Sequence, residues 1–213
     1  MSNSEKKGKP IIFNGDMVLA LLDGRKTQTR RIAKPSGKSP SLLDGGWSDS
    51  YVLDSGNYEW LMSDFHFGNC GDLLWVRETW YDTLCCREFD KTRDEIVYRA
   101  DPLPQWEGEQ FDIPWRPSIH MPRWASRITL KITGIRVERL HDISEEDALS
   151  EGVSYLDIPS NGLDPSKART WFKGIWSGIY GFRSWQENPW VWVIEFEAIQ
   201  KNIDDVIREM VDA

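Results

Sequence analysis

The sequence has few of the residues that build metal centres and disulfide frameworks. Its 213 residues include only three cysteines and three histidines. Cys70, Cys85 and Cys86 are an odd number, and no Cys-x-x-Cys pair occurs among them. This pattern argues against a structural zinc site or a disulfide framework. We therefore expect no metal, no other cofactor, reduced thiols and a cytoplasmic location.

Long hydrophobic runs are also missing. No stretch reaches the roughly 18 apolar residues that a membrane-spanning helix needs. The residues before Pro10 are polar and contain no apolar signal-peptide core. The sequence therefore predicts a flexible tail over residues 1–9 and no membrane partner.

A third absence is an excess of positive charge, since the formal net charge is −8. Proteins that coat nucleic acid without specificity usually present a basic face, so extended binding to a duplex is disfavoured. One segment departs from this balance. Residues 25–38 contain no acidic residue, and their basic residues are Arg25, Lys26, Arg30, Arg31, Lys34 and Lys38. These residues are therefore compatible with a small basic patch at the entrance of a binding pocket.

Tryptophan, by contrast, is abundant, with 12 residues. A single core of modest size does not bury so many indole rings, so we expect some of them to line surfaces or grooves. For any one tryptophan, a position in the core is still the more common outcome.

Hydrophobic periodicity and turn residues predict an α+β chain. We expect strands at 10–13, within 25–38, and at 73–76, 95–100, 127–140 and 189–199. We expect helices at 17–22, 144–151, 165–180 and 203–211. Two segments, 36–71 and 101–126, are predicted to be loop-rich insertions, the first with a hairpin around 51–61. A bend or bulge is expected at Gly134. This order of elements favours a mixed β-barrel with peripheral helices.

The most informative segment joins the first helix to the second strand, where Lys26 and Thr29 are three residues apart. Threonine is a weak nucleophile unless a base takes its proton. A lysine is such a base when burial lowers its pKa towards neutrality. A carboxylate can hold that lysine or protonate a leaving group. On its own, however, the segment is more typical of a solvated basic loop.

The run Gly24-Arg25-Lys26-Thr27-x-Thr29-x-Arg31 resembles the signature of the ASCH family of the PUA-like group. Four further segments that resemble the family follow in the expected order, at 71–76, 128–140, 143–152 and 192–196. The tryptophan-rich run 115–124 is most similar to the longer phage and prophage members. The resemblance implies a PUA-like (ASCH) mixed β-barrel over residues 10–199, with the two insertions, and a separate acidic helix at 200–213.

The best-understood members that the chain resembles are amidohydrolases that remove the acetyl group of N(4)-acetylcytidine. The resemblance implies that Thr29 attacks the acetyl carbonyl, that Lys26 is the base, and that Glu151 is an acid or orienting group. Two alternatives stay open, a non-catalytic module that binds RNA or a modified base and, less favoured, a ribonuclease. A narrow pocket around these three residues would favour the enzyme on a nucleoside, whereas an open basic cleft past Arg30 and Arg123 would favour polymer binding.

Six further residues are candidate substrate contacts, each with a plainer alternative. Glu78 follows a strand and could instead form a salt bridge. Trp80 could stack on a base or lie in the core. His120 could touch substrate or Lys26, or only brace its loop. Three arginines could meet phosphate or be ordinary surface residues: Arg30, Arg116 and Arg123.

Overall fold

The structure is a computed structural model that describes residues 8–34, 47–82, 96–102, 113–153 and 167–212. Its helices are α1 (Gly15–Leu22), α2 (Asp49–Leu53), α3 (Tyr58–Asp64), α4 (Glu145–Ser150), α5 (Ala168–Tyr180), α6 (Phe182–Gln186) and α7 (Ile203–Asp212). Its strands are β1 (Lys9–Ile12), β2 (Gln28–Ile32), β3 (Leu73–Arg77), β4 (Trp80–Asp82), β5 (Ile96–Tyr98), β6 (Thr129–Arg139) and β7 (Trp190–Ile199). The predicted tail up to residue 7, Cys85, Cys86 and parts of both predicted insertions lie outside the described residues.

Five strands form one mixed sheet in the order β1-β3-β6-β7-β2. β1 runs parallel to β3, whereas β3 is antiparallel to β6 and β2 is antiparallel to β7. β4 and β5 form a separate antiparallel pair. The α+β class is therefore confirmed. The closed barrel is not what the described residues form, because β1 and β2 are the two edges of the sheet and do not pair with each other.

The chain divides into two compact units. The first unit comprises Met1–Gly24, Asp72–Lys131 and Glu197–Ala213. One of its apolar clusters joins β3 to α7 through Leu73, Trp75, Ile203 and Val206. A second cluster packs β4 and β5 against the segment before β6, and its buried residues are Trp80, Ile96, Tyr98, Met121 and Ala125.

The second unit comprises Arg25–Gly71 and Ile132–Phe196. Its main apolar cluster lies between β7 and the helices α4, α5 and α6, and includes Val191, Val193, Phe172 and Trp176. The other face of β7 carries Trp192, which contacts the rings of Trp47 and Phe65, with centroids 5.6 and 5.0 Å away. The two faces of the β2–β7 ribbon therefore pack against different parts of this unit.

Most predicted elements are confirmed within one to three residues of their expected ends. The predicted hairpin around 51–61 is wrong, because the chain there forms α2 and α3. Ser48 caps α2 by accepting a hydrogen bond from the Tyr51 amide, and Asp54 accepts one from Gly56. These side-chain bonds to the backbone favour helical turns over a strand ladder. α6 was not predicted, because it is only five residues long.

Close packing against the neighbouring strand β7 requires a residue without a side chain at Gly134. β6 runs through Gly134 as a single strand. A Cβ there would lie 2.4 Å from Glu195 Oε2 and 3.4 Å from the Glu195 Cβ. A larger residue would therefore displace a side chain of the neighbouring strand.

Candidate active site

The turn between α1 and β2 delivers Lys26 to the interior of the second unit. Gly24 follows α1 with a φ of 72°, a left-handed conformation that suits glycine. Two residues later, Lys26 forms an isolated antiparallel bridge with Glu151, at the end of α4. The neighbouring Thr27 amide donates to the Ser150 carbonyl at 2.8 Å. Backbone pairing therefore sets the position of the lysine against the end of the helix.

Lys26 and Glu151 form a buried ion pair. Lys26 Nζ lies 2.8 Å from Glu151 Oε2 and donates a second hydrogen bond, 2.7 Å long, to the Glu151 backbone oxygen. Lys26 is 1% exposed and Glu151 is 7% exposed. A buried pair of this kind is strongly destabilised when one partner is removed, by roughly 3–5 kcal/mol, because the other charge is left uncompensated.

Burial lowers the pKa of Lys26 below its ordinary value of 10.5, because the charged ammonium loses its hydration. The carboxylate of Glu151 opposes this shift, and the positive charges of Arg31 and Arg30 add to it. The net direction is downward. Lys26 therefore gives up its proton more easily than an exposed lysine, as a general base needs.

Arg30 is buried beside this pair and contacts three carboxylates. Its Nη1 donates to Glu151 Oε1 at 3.1 Å, and its Nε donates to Glu138 Oε1 at 3.0 Å. Its Nη2 lies 2.5 Å from Glu138 Oε1 and 3.2 Å from Asp147 Oδ2. The side chain of Arg30 is fully buried, so it does not present a phosphate-binding surface. The predicted substrate contact is instead an internal arginine.

Asp147 is held at the start of α4 by several donors. It occupies the third position of a capping box with Ser144, whose hydroxyl accepts from the Asp147 amide at 3.0 Å. Gln28 Nε2 donates to Asp147 Oδ1 at 2.8 Å. Burial raises the pKa of Asp147, but the bonds from Gln28 and the Ser144 backbone and the charges of Arg30 and Arg136 outweigh it, so the net shift is downward.

Thr29 lies in the same strand but on its other face. The ladder pairs Gln28 with Glu195, Thr29 with Ile194 and Arg30 with Val193. Side chains of a strand alternate between its faces, so Thr29 shares the face of Ile194 and Arg30 shares that of Val193. Thr29 is 1% exposed. The chain thus buries all three predicted catalytic residues in one unit, with Lys26 and Glu151 in contact and Thr29 on the opposite side of β2 from Arg30.

Glu78 lies in the first unit and forms the predicted salt bridge. Arg127 Nε and Nη2 donate to its two carboxylate oxygens at 2.9 and 3.0 Å. Burial raises the pKa of Glu78, and Arg127 opposes that shift. Glu78 also lines a cavity of about 380 Å³, together with Asn14, Thr79 and Arg99 among others. Glu78 therefore has both a structural partner and access to a cavity.

The remaining predicted contacts also lie in the first unit. Trp80 is 2% exposed, so its ring is a core ring and does not present a stacking face to solvent. The Arg116 guanidinium lies 5.2 Å from the centre of that ring. Arg123 forms an ion pair with Asp204 at 2.7 Å. His120 is exposed at the end of a short 3-10 turn. Of these residues, Arg116 and His120 are the ones open to a ligand from solvent.

Sequence reasoning missed Glu138, Asp147 and Arg136 as neighbours of the site. Arg136 donates to Glu138 Oε2 and to Asp147 Oδ1, each at 3.0 Å, and also pairs with Glu195. The capping box marked Asp147 as a helix-start residue, which was the one available signal. Nothing in the pattern of β6 distinguished Glu138 from an ordinary exposed position.

Within residues 8–34, 47–82, 96–102, 113–153 and 167–212, no group of three or more histidine, cysteine, aspartate or glutamate side chains could hold a metal ion. No helix in the same ranges is long and apolar enough to cross a membrane.

Comparison with known proteins found no matching family model, no matching curated protein and no matching solved structure.

Proposed function

We propose that the chain is an amidohydrolase of the ASCH type that removes an acyl group from a modified nucleobase or nucleoside such as N(4)-acetylcytidine. The observation that carries the proposal is Lys26, a lysine that is 1% exposed, has a lowered pKa and is held by one carboxylate. Burying a charged lysine is unfavourable unless it is paired and hydrogen-bonded. Ionisable groups whose pKa is perturbed in this way concentrate at functional sites.

The proposed reaction uses Lys26 as the general base. Neutral Lys26 takes the proton of the nucleophile, whose oxygen attacks the acyl carbonyl carbon. The C–N bond then breaks, and the proton goes to the nitrogen of the released amine. Glu151 orients Lys26, and the protonated Lys26 passes the proton that it has taken to the leaving nitrogen. In the family-based mechanism the nucleophile is the Thr29 hydroxyl, and water then hydrolyses the resulting ester. Because Thr29 lies on the other face of β2 from Arg30, a water molecule bound by Lys26 is the competing nucleophile.

The proposal includes a PUA-like fold and a cytoplasmic location. Its substrate is a modified nucleoside, either free or as part of an RNA. The burial of the Lys26–Glu151 pair favours a small substrate group over an RNA backbone. Arg30 and Arg123 support the same preference, since both are paired with carboxylates of the chain. A continuous basic cleft running past these two arginines therefore has little support, and a ribonuclease has less.

The test is the release of cytidine from N(4)-acetylcytidine, as nucleoside and within an RNA oligonucleotide, followed by chromatography. We expect Lys26→Met to lower the rate by at least about 10²-fold, the usual contribution of a placed general base. Lys131→Met is the matched control, since Lys131 is a half-buried lysine of β6, and it should keep the rate. A wild-type protein that releases no amine from any acylated cytidine would reject the proposal.

A second candidate function is a binding module for a modified base. The specific observation in its favour is the position of Thr29 on the Ile194 face of β2. In that case the wild-type protein binds an acylated cytidine in equilibrium dialysis and returns it unchanged. Lys26→Met would then weaken binding, and neither the wild type nor the variant would release cytidine.

A further inference from the structure

Arg30 differs from the other arginines around the Lys26 pair in having no access to solvent. Its side chain is fully buried, while the side chain of Arg136, which shares two of its partners, is 36% exposed. The guanidinium also lies 5.9 Å from the centre of the Phe172 ring, which closes its apolar side. A rigid planar group packed in this way has one orientation, and so do the carboxylates that it binds.

Glu151 receives a different cation on each oxygen. Lys26 Nζ is bonded to Oε2 at 2.8 Å, and Arg30 Nη1 is bonded to Oε1 at 3.1 Å. A carboxylate held by two donors cannot rotate to offer both oxygens to the lysine. Arg30 in turn is held from behind by Glu138 and Asp147.

We propose that Arg30 is a positioning residue of the Lys26 site: its guanidinium takes one oxygen of Glu151, so that Lys26 faces only the other. The charge of Arg30 also acts on the protonation of Lys26. Arg30 competes with Lys26 for the carboxylate and repels the protonated lysine, so both effects favour neutral Lys26. The kinetic part of this inference rests on the function proposed above, whereas the effect on Lys26 itself does not.

The charged groups acting on Lys26 come from two elements. Glu151, at the end of α4, raises the pKa of Lys26, and Arg30 and Arg31, on β2, lower it. Removing Arg30 should therefore move the titration of Lys26 to higher pH, and removing the Glu151 charge should move it to lower pH. This opposition of sign separates an electrostatic role from general damage to the fold.

Arg30→Gln is the main variant. In this variant each of the three carboxylates that contact Arg30 still contacts another cation. Glu151 retains Lys26, while Glu138 and Asp147 retain Arg136. Arg30→Lys keeps the charge but loses the planar fork. Arg139→Gln is the matched control, because Arg139 lies on β6 and donates to the Asn188 carbonyl and to Asp49.

The experiment follows the Lys26 Cε resonance against pH in protein carrying ¹³C-labelled lysine, assigned by its loss in Lys26→Met. We expect Arg30→Gln to shift the titration upward, Glu151→Gln to shift it downward, and Arg139→Gln to leave it in place. The pH–rate profile for N(4)-acetylcytidine should show its acid limb moved upward in Arg30→Gln. In Arg30→Lys the acid limb should stay in place while kcat falls about tenfold.

Two outcomes overturn the inference. A folded Arg30→Gln protein whose Lys26 titrates as in the wild type excludes the role of Arg30. So does an Arg30→Lys protein with wild-type kcat on an active enzyme. If instead the wild type is inactive on every acylated cytidine but the titration moves as expected, the proposed function fails and the positioning role of Arg30 on Lys26 stands. Should Arg30→Gln not fold, the kcat of Arg30→Lys tests the positioning role, because that variant keeps the charge and loses the planar fork.

Discussion

At the scale of single residues, the chain combines two features that rarely occur together, a buried lysine and a buried arginine on one carboxylate. The side chains of both cations are fully buried. Their placement costs stability unless the hydrogen bonds of Glu151, Glu138 and Asp147 are all made. The network is therefore expected to be rigid, and changes to its members should not act independently of one another.

Thr29 is the residue whose role is most open to a direct test. If its hydroxyl is the nucleophile, rapid acid quenching and mass spectrometry trap an acetyl-enzyme in the wild type. Thr29→Ala then abolishes both this acetyl-enzyme and the release of cytidine. If water is the nucleophile, Thr29→Ala keeps most of the rate. From the register of β2 with β7 we expect the second result. Thr29→Val serves as the control for packing, since it removes the hydroxyl and keeps the shape.

Asp147 should make stability depend on acid pH in a defined direction. Its pKa in the folded protein lies below the ordinary value of 3.8, so its charge stabilises the fold above that value. The contribution is lost as the pH falls through the lowered pKa. Because the side chain is partly exposed, we expect at most about 1 kcal/mol at neutral pH.

The measurement compares thermal unfolding of the wild type and Asp147→Asn between neutral pH and the acid transition. The difference in melting temperature should shrink as the pH approaches that transition. Asp142→Asn is the control, an exposed aspartate just before α4, and it should show no such trend. A difference for Asp147→Asn that stays constant with pH would contradict the assignment.

At the scale of elements, the short helix α4 has an effect larger than its six residues suggest. It supplies Asp147 near its start and is followed directly by Glu151 at its C-cap. Both acids contact Arg30. α4 and its C-cap therefore supply two of the three carboxylates around one buried arginine, and the capping box of Ser144 fixes the start of that helix.

Ser144→Ala should lower both stability and activity. Loss of an N-cap side chain typically costs about 1 kcal/mol, and fraying of α4 would loosen Glu151 against Lys26. Ser48→Ala is the matched control, since Ser48 caps α2 in the same way and should affect stability alone. Unfolding in denaturant and the rate of cytidine release are measured in parallel. Equal loss of activity in both variants would show that α4 has no special role.

At the scale of the whole molecule, charge decides how the protein meets a nucleic acid. The net charge is −8, and among the residues that the structure describes several arginines are paired with acids of the chain. Examples are Arg30, Arg123, Arg127 and Arg136. Binding to RNA, if it occurs, must therefore use few backbone contacts.

We expect the affinity for a single-stranded RNA oligonucleotide to depend weakly on salt. The slope of log K against log salt concentration should correspond to about two to four phosphate contacts. Fluorescence anisotropy at several salt concentrations measures it, with Arg116→Gln as a variant, since Arg116 is exposed, and Arg30→Lys as its buried counterpart. A slope near ten contacts would show a basic surface that the paired arginines do not suggest.

The sequence alone determined most of the elements and the motif. Turn residues and periodicity located α1, β3, β6, α4 and β7, because Gly24, Gly152 and the alternating apolar residues act locally. The motif singled out Lys26, and the resemblance of segment 143–152 singled out Glu151; the structure joins the two side chains at 2.8 Å. Local patterns carry such information because caps and alternation involve neighbouring residues.

Only the tertiary structure decided which residues surround Lys26 and on which side of the strand each one lies. Arg30 read as a surface arginine, and its burial depends on Glu138 and Asp147, 108 and 117 residues further along the chain. Alternation along β2 places Thr29 and Arg30 on opposite faces. Which of the two residues faces the Lys26 pair depends on the register of β2 with β7, and a shift of one residue would exchange them. The closed barrel likewise depended on strand order, which the described sheet leaves open, since pairing between distant strands is set by packing and not by any local pattern.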